Sequence, residues 1–248
     1  MGKHDAGFSG KTLLLTEDAP FAYAEAYKTL RTNLSFASIS KKYKKIIITS
    51  AIPNEGKSTL AINLAATLAE SDVHVLLIDC DLRNPTLRRL LRVRTEQKHG
   101  LTSLLTGEVP AEECIFRHPA MKFDVLLTGA MPPNPVELLS SPQMKLLLEQ
   151  LGEHYDYIIC DTPPVSVVTD AAALSPFCDG VLLVIRQKSA TRDQVWAAKR
   201  NLDAVQANII GTVLTCYDLS DDPHAVNTHY GDYYGSSGRT GKQAKQHD

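Results

Sequence analysis

The sequence predicts an α/β fold: one domain with a mostly parallel sheet flanked by helices, followed by a mobile C-terminal tail. Three observations predict it. Apolar runs rich in Val and Ile recur along the chain, stretches of helical periodicity separate them, and the composition turns polar after residue 217. Continuous apolar runs suit strands covered on both faces, and alternation of strand with helix favours parallel pairing. At 248 residues, with 44% hydrophobic and 22% charged residues, the chain can build one sizeable core. Disordered, collagen-like and fibrous readings fall away. The formal net charge of -2 supplies no global basic field, so nucleic acid is not expected as a partner.

Each element has its own signal. Within an N-terminal segment, residues 1–44, positions 21–36 place Ala22, Ala26, Leu30 and the Tyr23/Tyr27 pair at helical spacing, an amphipathic helix that must bury its face somewhere. Lys41, Lys42, Lys44 and Lys45 read as the solvated entrance to the first strand. The body, residues 45–217, is expected to hold strands over 45–50, 73–81, 123–129, 155–163, 180–187 and 209–217. Helices are expected over 57–70, 136–151 and 191–206. Residues 218–248 are rich in Gly, Ser and Asp and lack apolar periodicity, which predicts the tail. Tyr230, Tyr233 and Tyr234 stand out there, because such tails are usually poor in aromatic residues. The five cysteines, Cys80, Cys114, Cys160, Cys178 and Cys216, lack C-x-x-C spacing and read as reduced thiols. The chain shows no signal-peptide pattern and no apolar stretch of about 18 residues, and Ala6 stands where a myristoylation motif has Ser or Thr. A cytoplasmic location is the expectation.

Directly after the first strand comes Ala51-Ile52-Pro53-Asn54-Glu55-Gly56-Lys57-Ser58-Thr59, followed by the helical run LAINLAATLAE. Strand, loop and helix in this order are the setting of a phosphate-binding P-loop. Gly56 lets the backbone approach phosphates, and amides at the helix start point toward them with the helix dipole behind. Lys57 is placed for the β and γ phosphates, the Ser58 hydroxyl for Mg²⁺ and Thr59 for the α phosphate. Ala51 departs from the usual glycine. Acids end two later strands: Asp79 and Asp81 in LLIDCDLR, on one side of an extended chain, and Asp161 in YIICDTPP, the usual place of a Walker B acid. Arg83 suits either steadying phosphates or pairing with Asp79 or Asp81. Asp170 reads as the acid that opens a helix.

These residues resemble the bacterial tyrosine kinases, P-loop protein kinases unrelated to the eukaryotic fold, in their separate cytoplasmic form. That family joins a Walker A segment, a Walker A′ of apolar residues then D-x-D-x-R, a Walker B of apolar residues then D-x-P, and a C-terminal tyrosine cluster. Here they read AIPNEGKST, LLIDCDLR, IICDTPP and Tyr230/Tyr233/Tyr234, and the match extends to LLTGAMPPNPVELLSS and EAYKTLRTNL. The resemblance implies that ATP and Mg²⁺ bind the loop from Ala51 through Thr59, with Lys57 and Ser58 on phosphate and metal. Asp81 and Asp161 would hold the metal, and Asp79 would be the base for an incoming tyrosine hydroxyl. The implied acceptors are the tail tyrosines of a neighbouring subunit. The family's E-x-x-R-x-x-R helix, which docks subunits into a ring, corresponds to Glu25, Lys28 and Arg31, where lysine loses the arginine fork. Further implied partners are a transmembrane activator of the polysaccharide co-polymerase type, recruiting the protein to the inner membrane face, a cognate tyrosine phosphatase and cytoplasmic protein substrates. The implied role is control of capsular or exopolysaccharide synthesis and export. The competing reading is a partitioning or site-selection ATPase of the same branch. Its loop usually carries an early second lysine, whereas Asn54 and Glu55 stand here with no lysine before Lys57. Thr215 replaces the asparagine with which such ATPases read adenine, so base recognition has no assigned residue.

Overall fold

The computed structural model describes residues 14–16, 19–39, 41–93 and 99–218. The chain divides into two units, Met1–Thr215 and Cys216–Asp248, and only residues 216–218 of the second are described. In the first unit α1 (Phe21–Ala37) precedes β1 (Lys45–Ser50), α2 (Lys57–Ala69) and β2 (Val75–Asp79). Two short helices, α3 (Leu87–Leu90) and α4 (Leu101–Leu105), lead to β3 (Ile115–Arg117) and β4 (Asp124–Leu126). Then follow α5 (Pro135–Leu139), α6 (Pro142–His154), β5 (Tyr157–Asp161) and α7 (Asp170–Leu174). The unit closes with β6 (Gly180–Arg186), α8 (Arg192–Ala204) and β7 (Ile209–Thr215).

The seven strands lie in the order β3-β4-β2-β5-β1-β6-β7. All neighbours pair in parallel except β3, which runs antiparallel to β4 at one edge. The expected mostly parallel sheet is therefore present, and its apolar runs are double-sided for a visible reason. In β1, Ile46 and Ile48 face one core while Ile47 faces the other, and β2 divides Val75 and Leu77 from Leu76 and Ile78 in the same way. Helices α1, α2 and α3 cover one face, through Leu34, Leu60, Leu64, Leu68 and Leu87 among others. Helices α5 to α8 cover the opposite face, through Leu139, Met144, Leu148, Leu174, Ala198 and Leu202. The five cysteines are all free thiols.

Three details differ from expectation. The helix expected over 136–151 is two helices, because Ser141 caps α6 by accepting from the Met144 amide at 3.1 Å and Pro142 occupies its first turn. Proline there has no amide to offer the preceding turn, so α5 cannot run on. The short edge strand β3 has too few residues to show a period. On α1 the buried side chains are Tyr27 and Leu34, with Tyr23 and Leu30 half-buried beside them, whereas Ala22 and Ala26 are exposed. That face lies on α2, where the Asn63 side chain donates to the Tyr23 hydroxyl at 2.9 Å. The entrance to β1 is held by Asp179, whose carboxylate accepts from the Lys44 and Lys45 amides at 2.9 and 2.7 Å. Among the described residues no helix is long and apolar enough to cross a membrane.

Candidate active site

Parallel topology brings the carboxyl ends of β1, β2 and β5 to one end of the sheet, where ligands of such sheets bind. The loop leaving β1 is braced from within. Glu55 is fully buried, and its carboxylate accepts from the Ile52 amide at 3.0 Å and from the Arg186 amide at 3.1 Å. Its carbonyl accepts from the Thr215 hydroxyl at 2.7 Å. Thus Glu55 faces the protein, while Pro53 and Asn54 lie exposed at the loop tip. Asn54 and Gly56 take φ values of 64° and 90°, left-handed conformations that turn the chain into α2 and that glycine adopts without steric cost. Ala51, at the place of a usual glycine, is buried at an ordinary φ, so its methyl is accommodated in the core. Lys57 opens α2 and is buried, and Ser58 and Thr59 sit half-buried on the same first turn.

Across from this turn stand the acids. Asp79 and Asp161 are register partners on adjacent parallel strands, and both are buried. The Asp79 carboxylate accepts from the Asp81 and Leu87 amides, each at 3.3 Å, so it also holds the turn into α3. Burial, then the Asp161 charge, push its pKa well above the ordinary carboxylate range. Asp81 is more open, and its carboxylate accepts from the Asn84 amide at 2.9 Å; burial again raises its pKa. Asp161 is pushed up to about 7 by burial, with Ser58 and Lys57 pulling it back part of the way. Neither of its oxygens completes a hydrogen bond with a protein group. An orphaned buried carboxylate is costly, and a cation is the partner that removes the cost. The available donors, the carboxylates of Asp81 and Asp161 and the Ser58 hydroxyl, are all oxygen, the chemistry magnesium prefers. Among the described residues no three His, Cys, Asp or Glu side chains form a metal-binding group by themselves.

The remaining candidates fall in different places. The Arg83 guanidinium reaches past both acids of its own motif to Asp170, with Nε at 3.0 and 3.1 Å from the two oxygens. Asp170 does open a helix, α7, and is fully buried there. Thr86 was not visible as a site residue in the sequence, yet its hydroxyl donates to the Ser58 oxygen at 2.9 Å. On α1, Lys28 bonds Glu25 at 2.7 Å, and Arg31 donates to the Thr67 carbonyl at 2.6 Å, with Glu70 at 3.6 Å. Tyr230, Tyr233 and Tyr234 lie outside the described residues.

Residues 43–210 match the AAA domain family. The tyrosine-protein kinase YwqD of Bacillus subtilis is 40% identical over 213 residues, which is 86% of this chain and 86% of that one. The chain belongs to the bacterial tyrosine kinases. This kinase is similar in structure to the kinase domain of the Escherichia coli tyrosine kinase ETK, with a TM-score of 0.73 and 37% identity over 79% of this chain and 77% of that one. The cell division ATPase MinD of Pyrococcus furiosus is more distant, at 25% identity and a TM-score of 0.61 over 77% of this chain and 79% of that one. The competing ATPase reading thus reflects a shared fold.

Proposed function

We propose that the kinase transfers the γ-phosphoryl group of ATP to Tyr230, Tyr233 and Tyr234 of a neighbouring copy, in the service of capsular or exopolysaccharide synthesis and export. The observation that carries the reading is the buried acid pair Asp79 and Asp161 facing Lys57 and Ser58 on the first turn of α2, with neither Asp161 oxygen in a completed hydrogen bond. Ser58, Asp81 and Asp161 would hold magnesium, which supplies charge neutralisation on the phosphates when bound. Lys57 stabilises charge that develops on the transferring phosphoryl oxygens. The tyrosine oxygen bonds to the γ phosphorus, its proton passes to the Asp79 carboxylate, and the bond to the β-γ bridging oxygen breaks to release ADP. Burial that raises the proton affinity of Asp79 favours that acceptance. Arg83, through Asp170, fixes the loop after β2 that carries Asp81.

Glu25, Lys28 and Arg31 of α1 would contribute to contacts between copies in a ring, with Lys28 offering charge without a bidentate fork. A separately encoded transmembrane activator recruits the kinase to the inner membrane face, and a cognate phosphatase resets the tail. What supports this part is the motif set and the family. The test is to incubate the purified protein with labelled ATP and Mg²⁺, with and without the cytoplasmic segment of a candidate activator, and map modified residues. Phosphate on the three tail tyrosines is the expected result. ATP consumption without tail phosphotyrosine in either arm would overturn the tail as acceptor.

A further inference from the structure

Residues 82–93 contain Arg83, Arg88, Arg89 and Arg92 and no acid, in a chain whose formal charge is only -2. Arg83 is engaged by Asp170. The other three, with Pro85 and Val93, line a shallow, open cleft of about 490 Å³. Arg89 and Arg92 are exposed and form no ion pair with another described residue. This cleft is lined from Pro85 onward, next in the chain to Thr86, which touches the phosphate loop. The Leu87 amide donates to Asp79 and the Thr86 hydroxyl to Ser58, so the arginines start one residue beyond groups that touch the catalytic acid and the phosphate loop.

The two neighbouring surfaces differ in chemistry. Asp79, Asp81 and Asp161 offer carboxyl oxygens to a phenol hydroxyl, whereas guanidinium forks at the cleft match carboxylates geometrically. An open cleft also fits an extended segment better than a small molecule, which binds in enclosed pockets. We propose that Arg89 and Arg92 at this cleft select acceptor segments in which Asp or Glu residues flank the target tyrosine. The proposal rests on the phosphoryl-transfer reading above and adds the class of acceptor. The charges orient the segment, with carboxylates over the cleft and the phenol over the acids.

The test reads binding apart from turnover. The full chain, with Mg²⁺ and a non-hydrolysable ATP analogue, is titrated into two fluorescein-labelled peptides that each hold one tyrosine, flanked by Glu in one and by Gln in the other. Anisotropy should show the Glu peptide binding at least about fivefold tighter, with the advantage shrinking as salt rises. Arg89→Gln/Arg92→Gln should erase the advantage, and Arg89→Glu/Arg92→Glu should reverse it in favour of a Lys-flanked peptide. With ATP, the same order should appear in KM while kcat holds. Equal binding of the Glu and Gln peptides by the wild type, or a preference that survives Arg89→Gln/Arg92→Gln, overturns the proposal. Tighter binding of a single-stranded oligonucleotide of equal charge overturns it as well. Preferential binding without phosphate transfer to either peptide would support the cleft while counting against the transfer reading.

Discussion

At the scale of single residues, burial and charge set opposing demands on the acids. Asp161 has a pKa of about 7 in the folded protein against about 4 for an ordinary carboxylate. Because the folded value is raised, the protonated carboxyl stabilises the fold at low pH. That contribution is lost as pH rises from about 4 through 7, and Asp79 acts in the same direction. Asp161→Asn should therefore melt higher than wild type at pH 8 without nucleotide, by several degrees, and lose that advantage near pH 4, while phosphoryl transfer collapses. Thermal melts at the two pH values check it; a variant less stable than wild type at pH 8 would show that the charged carboxylate is already compensated. Lys57→Met should abolish transfer with little change in melting, since the packing around it comes from Leu60, Leu64 and the β1 isoleucines. Asp79→Asn should slow transfer by about a hundredfold or more, read from initial rates at saturating ATP. These acids and the lysine were legible because each sits at a strand end or helix start in a recognisable pattern. Thr86 on Ser58, Arg83 on Asp170 and Thr215 on Glu55 were not, because those contacts join residues 28, 87 and 160 positions apart.

At the scale of elements, hydrophobic runs revealed the central strands and the long helices, and local chemistry decided the rest. The break between α5 and α6 was written in Ser141 and Pro142, yet the apolar period runs across both helices and hides it. The placement of α4 was invisible for a different reason. Its first two amides bond the Leu127 and Thr128 carbonyls at 2.8 and 3.0 Å, beyond the end of β4, so the helix is docked by backbone on backbone. Gly100 makes that approach possible. A Cβ there would stand 2.3 Å from the Leu127 carbonyl oxygen and 2.5 Å from the Gly129 nitrogen, and neither atom is free to swing away. Gly100→Ala should lower stability by about 1–3 kcal/mol, the usual cost of forcing atoms into filled space. Urea denaturation of the two proteins provides the measurement, and an unchanged midpoint would mean that α4 detaches without cost.

At the scale of the whole molecule, the proposed entry of the tail's tyrosines into the acid-lined end of the sheet should make phosphorylation state a determinant of assembly. Each phosphotyrosine adds about -1.5 to -2 charges, so Tyr230, Tyr233 and Tyr234 together add about -4.5 to -6. This exceeds the formal net charge of the entire chain, -2. A tail that enters a neighbour's site before transfer would, after it, carry this charge beside Asp79, Asp81 and Asp161, where the carboxylates already disfavour one another's charge. Repulsion should then expel it. Light scattering should show the unphosphorylated protein with an ATP analogue as a larger particle than the phosphorylated protein, and the difference should shrink in high salt. Replacing all three tyrosines by Phe should keep the large particle after incubation with ATP and leave nucleotide affinity unchanged, because the loop from Ala51 to Thr59 lies far upstream. Equal particle sizes before and after phosphorylation would remove the electrostatic switch and leave the phosphoryl-transfer chemistry of the site intact.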